Sequence, residues 1–312
     1  MAEEVKVTWH KDEEPVKDYE YSFALIGDTQ NLAMLDGGTQ PCGRPNHPTP
    51  EAWRGQHYMN TLYGWIVDHK EDKKIAHAFI LGDITENISV PSEWAVADEA
   101  IHLLDGKVEH SIVRGNHDHP KNFIEVFDHS PYKDTIEGCF ERHGIRSCYK
   151  TFEVAGIKYL SLILDHGAAD EILEWADGVL ASFPEHKVII STHTYLDGKG
   201  DLITHETNAP ATPLKNDGVE MWNKVFRKHK NICMTFSGHY GIWGPAISKS
   251  VGDNGNSVLN IMIDSEGVDL YSDAPGAMVL MLYFAKDGKS VDVRYYSTAR
   301  DEFYGAGRTI EL

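Results

Sequence analysis

The side chains in this sequence that could do chemistry stand where short apolar runs break off: Asp28 with Gln30, Asp83, Asn116 with His117, His193, and His239. Carboxylate, amide oxygen and imidazole together form the donor set of a hydrolytic divalent-metal site, in which one carboxylate can bridge two ions roughly 3.5–4 Å apart. A lone buried histidine is usually a satisfied core residue, but five breaks of one kind in one chain point to a shared centre. The densest is Arg114-Gly115-Asn116-His117-Asp118, behind Ser111-Ile112-Val113. An ordinary turn there would use Asn-Gly or Asp-Gly and would have no need of an imidazole behind the amide.

The elements that must position these residues follow from the apolar spacing. Residues 22–26, 76–81, 111–113, 188–190 and 232–236 read as buried strands. Between them, Thr49-Pro50 has the form of an N-cap with proline at the first helical position, and Met59, Leu62, Tyr63 and Ile66 recur at helical spacing to about Lys70. A second helix starts near Ser92 with Trp94, Ala97, Ile101 and Leu104 on one face. Helices over 170–182 and 218–230 follow, the latter ending in cations that suit the negative end of its dipole. Residues 148–154 and 157–164 form a hairpin, and 258–263, 278–284 and 291–296 complete a second sheet. Strand and helix alternate, so the class is α/β with a metal site at the strand carboxyl ends. Two polar stretches, 31–50 and 195–216, are candidate lids. Residues 1–18 are charged and aperiodic, a flexible arm before a single domain over 19–312.

The chain has 29 basic and 48 acidic residues, a formal charge of −19, which repels a polyanion and makes nucleic acid an unsuitable partner. Cys42, Cys139, Cys148 and Cys233 lack zinc-knuckle spacing and read as separate buried thiols, although Cys139 and Cys148 could pair in an exported protein. No apolar stretch reaches the roughly 18 residues of a membrane span. The opening Met1-Ala2-Glu3-Glu4-Val5 lacks the charged and apolar regions of a signal peptide.

In order, strand context and spacing, the breaks resemble the calcineurin-like metallophosphoesterase superfamily, whose pattern is D-x-H, G-D, G-N-H-[D/E], a lone H and G-H-x-H. The resemblance covers Asp28 to His239 and implies a four-layer α/β/β/α sandwich with two mixed sheets. It makes Asp83 the bridging ligand, places Asn116, His193 and His239 at one metal position, and assigns Asp28 to the other. His117 would approach the phosphate, and Asp118 would orient it. Two imidazoles of the pattern are replaced, by Gln30 and by Gly241 in Gly238-His239-Tyr240-Gly241, both at the second position. That position becomes an all-oxygen site suited to a weakly held Mn, Mg or Ca, while the other holds Zn, Fe or Mn firmly. Gly27-Asp28-Thr29-Gln30 is similar to a variant first motif of a bacterial, often exported subgroup, which points to an exported protein with its signal removed.

The activity implied is metal-dependent phosphoester hydrolysis of a small phosphodiester or a phosphorylated sugar or alcohol. Tyr195, Tyr240 and Trp243 are candidates to stack on the substrate, with ordinary packing as the alternative. Two other classes stay open: a non-catalytic binding module with an incomplete metal centre, and a mononuclear hydrolase acting on a non-phosphate ester or amide.

Overall fold

The computed structural model describes residues 2–3, 7–9, 16, 18–39, 50–129, 131–140, 144–208, 213–240 and 244–312. Two eight-stranded sheets carry it. The first runs from Ala2–Glu3 through Ala246–Val251, Ser257–Met262, Ile232–Ser237, Lys187–Ser191, Ile157–Ile163 and Cys148–Val154 to Gly138–Cys139. The second runs from Val7–Trp9 through Arg308–Glu311, Ser290–Ser297, Met278–Ala285, Tyr19–Ile26 and Ile75–Ile80 to His110–Ile112, with Glu302–Phe303 paired to Ser290–Ser297.

Parallel pairing is confined to the strands that precede the candidate site residues. Tyr19–Ile26, Ile75–Ile80 and His110–Ile112 are parallel in the second sheet. Ile157–Ile163, Lys187–Ser191, Ile232–Ser237 and Ser257–Met262 are parallel in the first. Both sets of carboxyl ends meet at one edge, where the His239 backbone N–H donates to Asp28 at 3.1 Å.

Alternation along the strands divides the core, as a period of two requires. Ile189 packs between the sheets with Phe23, Phe79 and Phe236, whereas its neighbours Val188 and Ile190 face outward. On that outer face lie helices Asp170–Ser182 and Gly218–Lys224, which bury Ile172, Ala176, Leu180 and Met221. Helices Gln30–Asp36, Tyr58–Asp68 and Pro91–Ile101 pack against one another over the second sheet. The result is the four-layer α/β/β/α sandwich with two mixed sheets.

Several expectations need correction. The three late strands do not form one sheet: Ser257–Met262 pairs parallel with Ile232–Ser237 in the first sheet, and Met278–Ala285 and Ser290–Ser297 join the second. Within residues 1–18 Ala2–Glu3 and Val7–Trp9 pair at the edges of the two sheets, and residues 1, 4–6, 10–15 and 17 lie outside the described residues. The proline-led turn near Pro50 is a 3-10 turn over Glu51–Trp53, and the helix begins only at Tyr58. The first candidate lid opens as the buried helix Gln30–Asp36, and residues 40–49 lie outside the described residues. The second is anchored at both ends, with Tyr195 and Leu196 buried in the outer cluster and Asn216 donating to the Ala168 carbonyl at 2.8 Å, and residues 209–212 lie outside the described residues. Cys139 and Cys148 face each other in register as free thiols. Among the described residues no helix is long and apolar enough to cross a membrane.

Candidate metal centre

His193 follows the strand Lys187–Ser191 and is fully buried. Its Nδ1–H donates to the Leu81 carbonyl at 2.8 Å, which selects the tautomer with a free lone pair on Nε2. Facing that nitrogen are two more lone-pair atoms, Asp83 Oδ2 at 3.1 Å and Asn116 Oδ1 at 3.0 Å. Three acceptors turned on one another leave a need that a cation meets. Asp83, His193 and His239 each bring one donor atom to within 4.8 Å of the others. Burial pushes His239 down to about 3, so its ring is neutral and able to ligate.

The backbone is bent to achieve this. Asp28, Asp83 and His239 have φ of 59°, 49° and 77°, in the left-handed region that non-glycine residues seldom occupy and that concentrates at functional sites. The glycines of the breaks allow close approach. A Cβ at Gly115 would collide with the Asp83 carboxylate, and one at Gly238 with that of Asp28.

Asp28 lies in a second, oxygen-rich corner. Burial, followed by the carboxylates of Asp264, Asp83 and Glu266, pushes it well above the usual carboxylate range, against the His239 N–H that favours the charge. Gln30 donates its Nε2–H to Glu266, while its Oε1 is buried and has no hydrogen-bond partner among the described residues. Crowded carboxylates beside an orphaned amide oxygen fit a hard cation with oxygen ligands. Asp28, Gln30 and the bridging Asp83 would hold that ion, and Asp83, Asn116, His193 and His239 the other.

His117 stands beside these groups with its side chain one-third exposed. Its backbone N–H donates to Asp83 Oδ1 at 2.8 Å, and its Nδ1 lies 2.9 Å from the Glu86 carbonyl and 3.5 Å from the Glu86 carboxylate. Burial lowers its pKa, but Asp83, then the Glu86 carbonyl and carboxylate, and Glu266 outweigh that and raise it to about 9. Without bound ions the His117 ring is therefore protonated, and it is accessible next to the donors.

Asp118 does not orient His117. Its Oδ1 accepts the N–H groups of Ile84 and Thr85 at 2.9 and 3.1 Å, and its Oδ2 accepts Gly115 N–H at 2.8 Å, so it fastens two strand-end loops together. Glu86 is the group that touches the His117 ring. Tyr195 is likewise corrected: it is fully buried with its ring 5.6 Å from that of Phe226, and presents no face to a substrate. Tyr240 stands edge-on to His239 at 4.6 Å. Gly241 and Trp243 lie outside the described residues.

Four groups escaped sequence reasoning: Glu86, His166, Asp264 and Glu266. The His166 ring lies 5.6 Å from that of His193 and 6.1 Å from that of His239. Leu164-Asp165-His166-Gly167 and Ile263-Asp264-Ser265-Glu266 end apolar runs in the same way as the breaks that were recognised, and that was the available signal. Asp165 itself is consumed by Arg114 at 2.6 Å and Arg146 at 3.2 Å, which brace the Gly115 loop.

Two stacked mixed sheets thus gather carboxylates, an amide and imidazoles at one strand-end edge, with the His117 imidazole beside them. The chain belongs to the calcineurin-like phosphoesterase family, which matches residues 21–271. A protein of Bacillus subtilis (strain 168) named YvnB, itself uncharacterized, is 25% identical over 233 residues, 72% of this chain and 16% of its own length. The chain thus spans about 16% of that relative. Among solved structures, a dimetal phosphatase from Danio rerio is similar, with TM-score 0.59 and 14% identity over 94% of this chain and 99% of that one. Purple acid phosphatase PPD1 of yellow lupin gives TM-score 0.51 and 15% identity over 92% of this chain and 53% of that one.

Proposed function

We propose that this chain hydrolyses a small phosphodiester or a phosphorylated sugar or alcohol, using two divalent ions held at the edge where Asp83 stands between the two donor sets. The observation that carries the reading is the His193 tautomer. With Nδ1–H given to Leu81, Nε2, Asp83 Oδ2 and Asn116 Oδ1 converge as three lone-pair donors. Divalent ions bound there would lower the pKa of water and neutralise charge on the phosphoryl group.

The chain's own residues supply the rest. Asn116, at the end of the Gly115 loop, is placed to meet a phosphoryl oxygen. His117 carries a proton on an accessible ring and gives it to the departing oxygen, the Glu86 carbonyl holding the opposite nitrogen. The charge of −19 disfavours polyanionic chains, which supports a small ester.

The test is hydrolysis of an aryl phosphodiester and the matching monoester by metal-stripped protein titrated with Mn, Mg, Ca and Zn, with Asp83→Ala as control. Turnover that requires metal and is absent from Asp83→Ala is expected. If metal-loaded protein of verified stoichiometry cleaves neither ester, the catalytic reading fails, and the binding-module reading motivated by Gln30 takes its place.

A further inference from the structure

The strands Gly138–Cys139 and Cys148–Val154 end the first sheet and set Cys139 directly opposite Cys148. Phe140 N–H donates to the Ser147 carbonyl at 2.9 Å, so 140 and 147 are the hydrogen-bonded pair and 139 and 148 the non-hydrogen-bonded pair beside it. The Cα atoms of such a pair stand about 4.5 Å apart, within the span of about 4.4–6.8 Å that a disulfide bridges. The two thiols also share a face. Cys139 and Cys148 pack with the inter-sheet core, whereas their neighbours Phe140 and Tyr149 pack with the outer cluster. Cys233 lies at least three strands away in the same sheet, roughly 14 Å at ~4.8 Å per strand, and is out of reach of both.

A bridge here would close the loop 140–147, of which residues 141–143 lie outside the described residues. The far end of that loop reaches toward the metal edge. Ser147 Oγ accepts the Asp165 N–H at 3.1 Å, and Arg146 donates to the Asp165 carboxylate at 3.2 Å. Asp165 in turn accepts Arg114 Nε–H at 2.6 Å, and Arg114 Nη1 donates to the carbonyls of Gly115 and Asp118 at 2.8 and 3.1 Å. A constraint on 140–147 therefore bears on the loop that carries Asn116. Burial pushes both thiols up, and Cys139 adds to the effect at Cys148. Neither is a ready thiolate once the chain has folded, so the pair is oxidised while folding.

We propose that Cys139 and Cys148 form a disulfide as the chain folds in oxidising surroundings, and that this bridge tightens Ser147 and Arg146 on Asp165. With a small-molecule disulfide such as glutathione disulfide as oxidant, the Cys139 thiolate attacks one of its sulfurs and releases one glutathione. Cys148 then attacks the Cys139 sulfur of the mixed disulfide and releases the second. The two protons given up by the protein thiols end on the two glutathione thiols. No metal-site residue takes part, so the pairing is independent of hydrolysis.

The test refolds the reduced, urea-unfolded full chain in a glutathione redox buffer. Peptide mapping without reductant should join Cys139 to Cys148 and leave two of the four cysteines as free thiols. The bridged protein should have a higher urea midpoint than the same protein kept reduced, and Cys139→Ser should erase both the bridge and the shift. Hydrogen exchange of the Gly115 amide should be at least fivefold slower in the bridged protein, and Arg146→Met should keep the bridge but lose the slowing. Four free thiols, a bridge to Cys42 or Cys233, equal midpoints, or equal Gly115 exchange in the two forms would each overturn the proposal. If Cys139→Ser does not fold, Cys148→Ala serves the same comparison, and a midpoint shift that survives it would count against the pair.

Discussion

Asp83 accepts the backbone N–H of His117 at 2.8 Å through one carboxylate oxygen while its other oxygen faces His193 Nε2 at 3.1 Å. The group expected to bridge the ions therefore also fixes the main chain that carries the proposed acid. One side chain would thus set both the metal position and the position of the proposed acid.

The division of labour around His117 predicts separable effects. His117→Ala should lower kcat by about 100-fold or more, the usual range for a general acid, with metal content unchanged. Glu86→Gln keeps the carbonyl that orients the ring but removes a carboxylate that raises the His117 pKa. Because the proposed acid must be protonated, activity is lost as pH rises through that pKa, and Glu86→Gln should move the alkaline limb of the kcat/KM profile to lower pH. A limb that stays in place would show that Glu86 does not tune the acid.

Asp118 should behave as a structural residue. Its buried carboxylate accepts three backbone N–H groups from the two loops that hold Asp83 and Asn116. Asp118→Ala strands those donors and should cost about 3 kcal/mol of stability, each buried unsatisfied donor being worth about 1–3 kcal/mol. Urea unfolding of metal-stripped protein checks this directly. Asp118→Asn retains an acceptor and should recover part of the loss, and equal stability of all three proteins would refute the fastening role.

The contrast between Asp118 and Asp83 shows what the sequence could and could not reveal. Asp83, Asn116, His193 and His239 were legible because each ends an apolar run, and strand ends of parallel neighbours must share an edge. Their mutual placement was not legible for Asp118, since whether a carboxylate turns to an adjacent imidazole or to a backbone in another loop depends on loop packing, which spacing does not encode. Asp264 and Glu266 were missed for a different reason. The strand before them was placed with its later neighbours, and only its parallel pairing with Ile232–Ser237 brings its carboxyl end to the site. Tyr195 stands two residues from His193, yet it packs with the outer cluster and not at the site.

Stability should fall in mild acid through the histidines of the second sheet. Burial pushes His110 down to about 4, with Lys150 acting in the same direction against the Val108 carbonyl that accepts its Nδ1–H. In the unfolded chain the group titrates near 6.5. Between those values the unfolded state holds a proton that the folded state does not, so the contribution is complete above pH 6.5 and is lost as pH falls toward 4. That amounts to about 3 kcal/mol, and His77, also pushed well below its ordinary value by burial, adds to it. Urea unfolding of metal-stripped protein across pH 7.5 to 4 should show this slope, and His110→Gln should flatten it. An unchanged slope in the variant would assign the acid sensitivity elsewhere.

Glu266 should control the weaker ion without being needed for the tighter one. Gln30 stands where the resemblance expects an imidazole, and an amide ligates a cation only through its oxygen. Nothing intrinsic to glutamine decides which end faces the site. Glu266 decides it here, because its carboxylate takes Nε2 and leaves Oε1 without a hydrogen-bond partner among the described residues. Asp264 acts one step behind, accepting the Glu266 N–H at 2.9 Å and so holding the loop. Supporting partners of this kind typically change metal affinity by about 10- to 100-fold. Manganese titration of Glu266→Ala, read by calorimetry and electron paramagnetic resonance, should therefore show one ion bound as in the parent and the other at least tenfold weaker. Glu266→Gln, which still offers an acceptor to Nε2, should restore most of the difference, and that rescue separates orientation of Gln30 from simple loss of negative charge. Two unchanged affinities in Glu266→Ala would remove Glu266 from the site, and failure of Glu266→Gln to rescue would make its charge, and not its hold on the amide, the operative property.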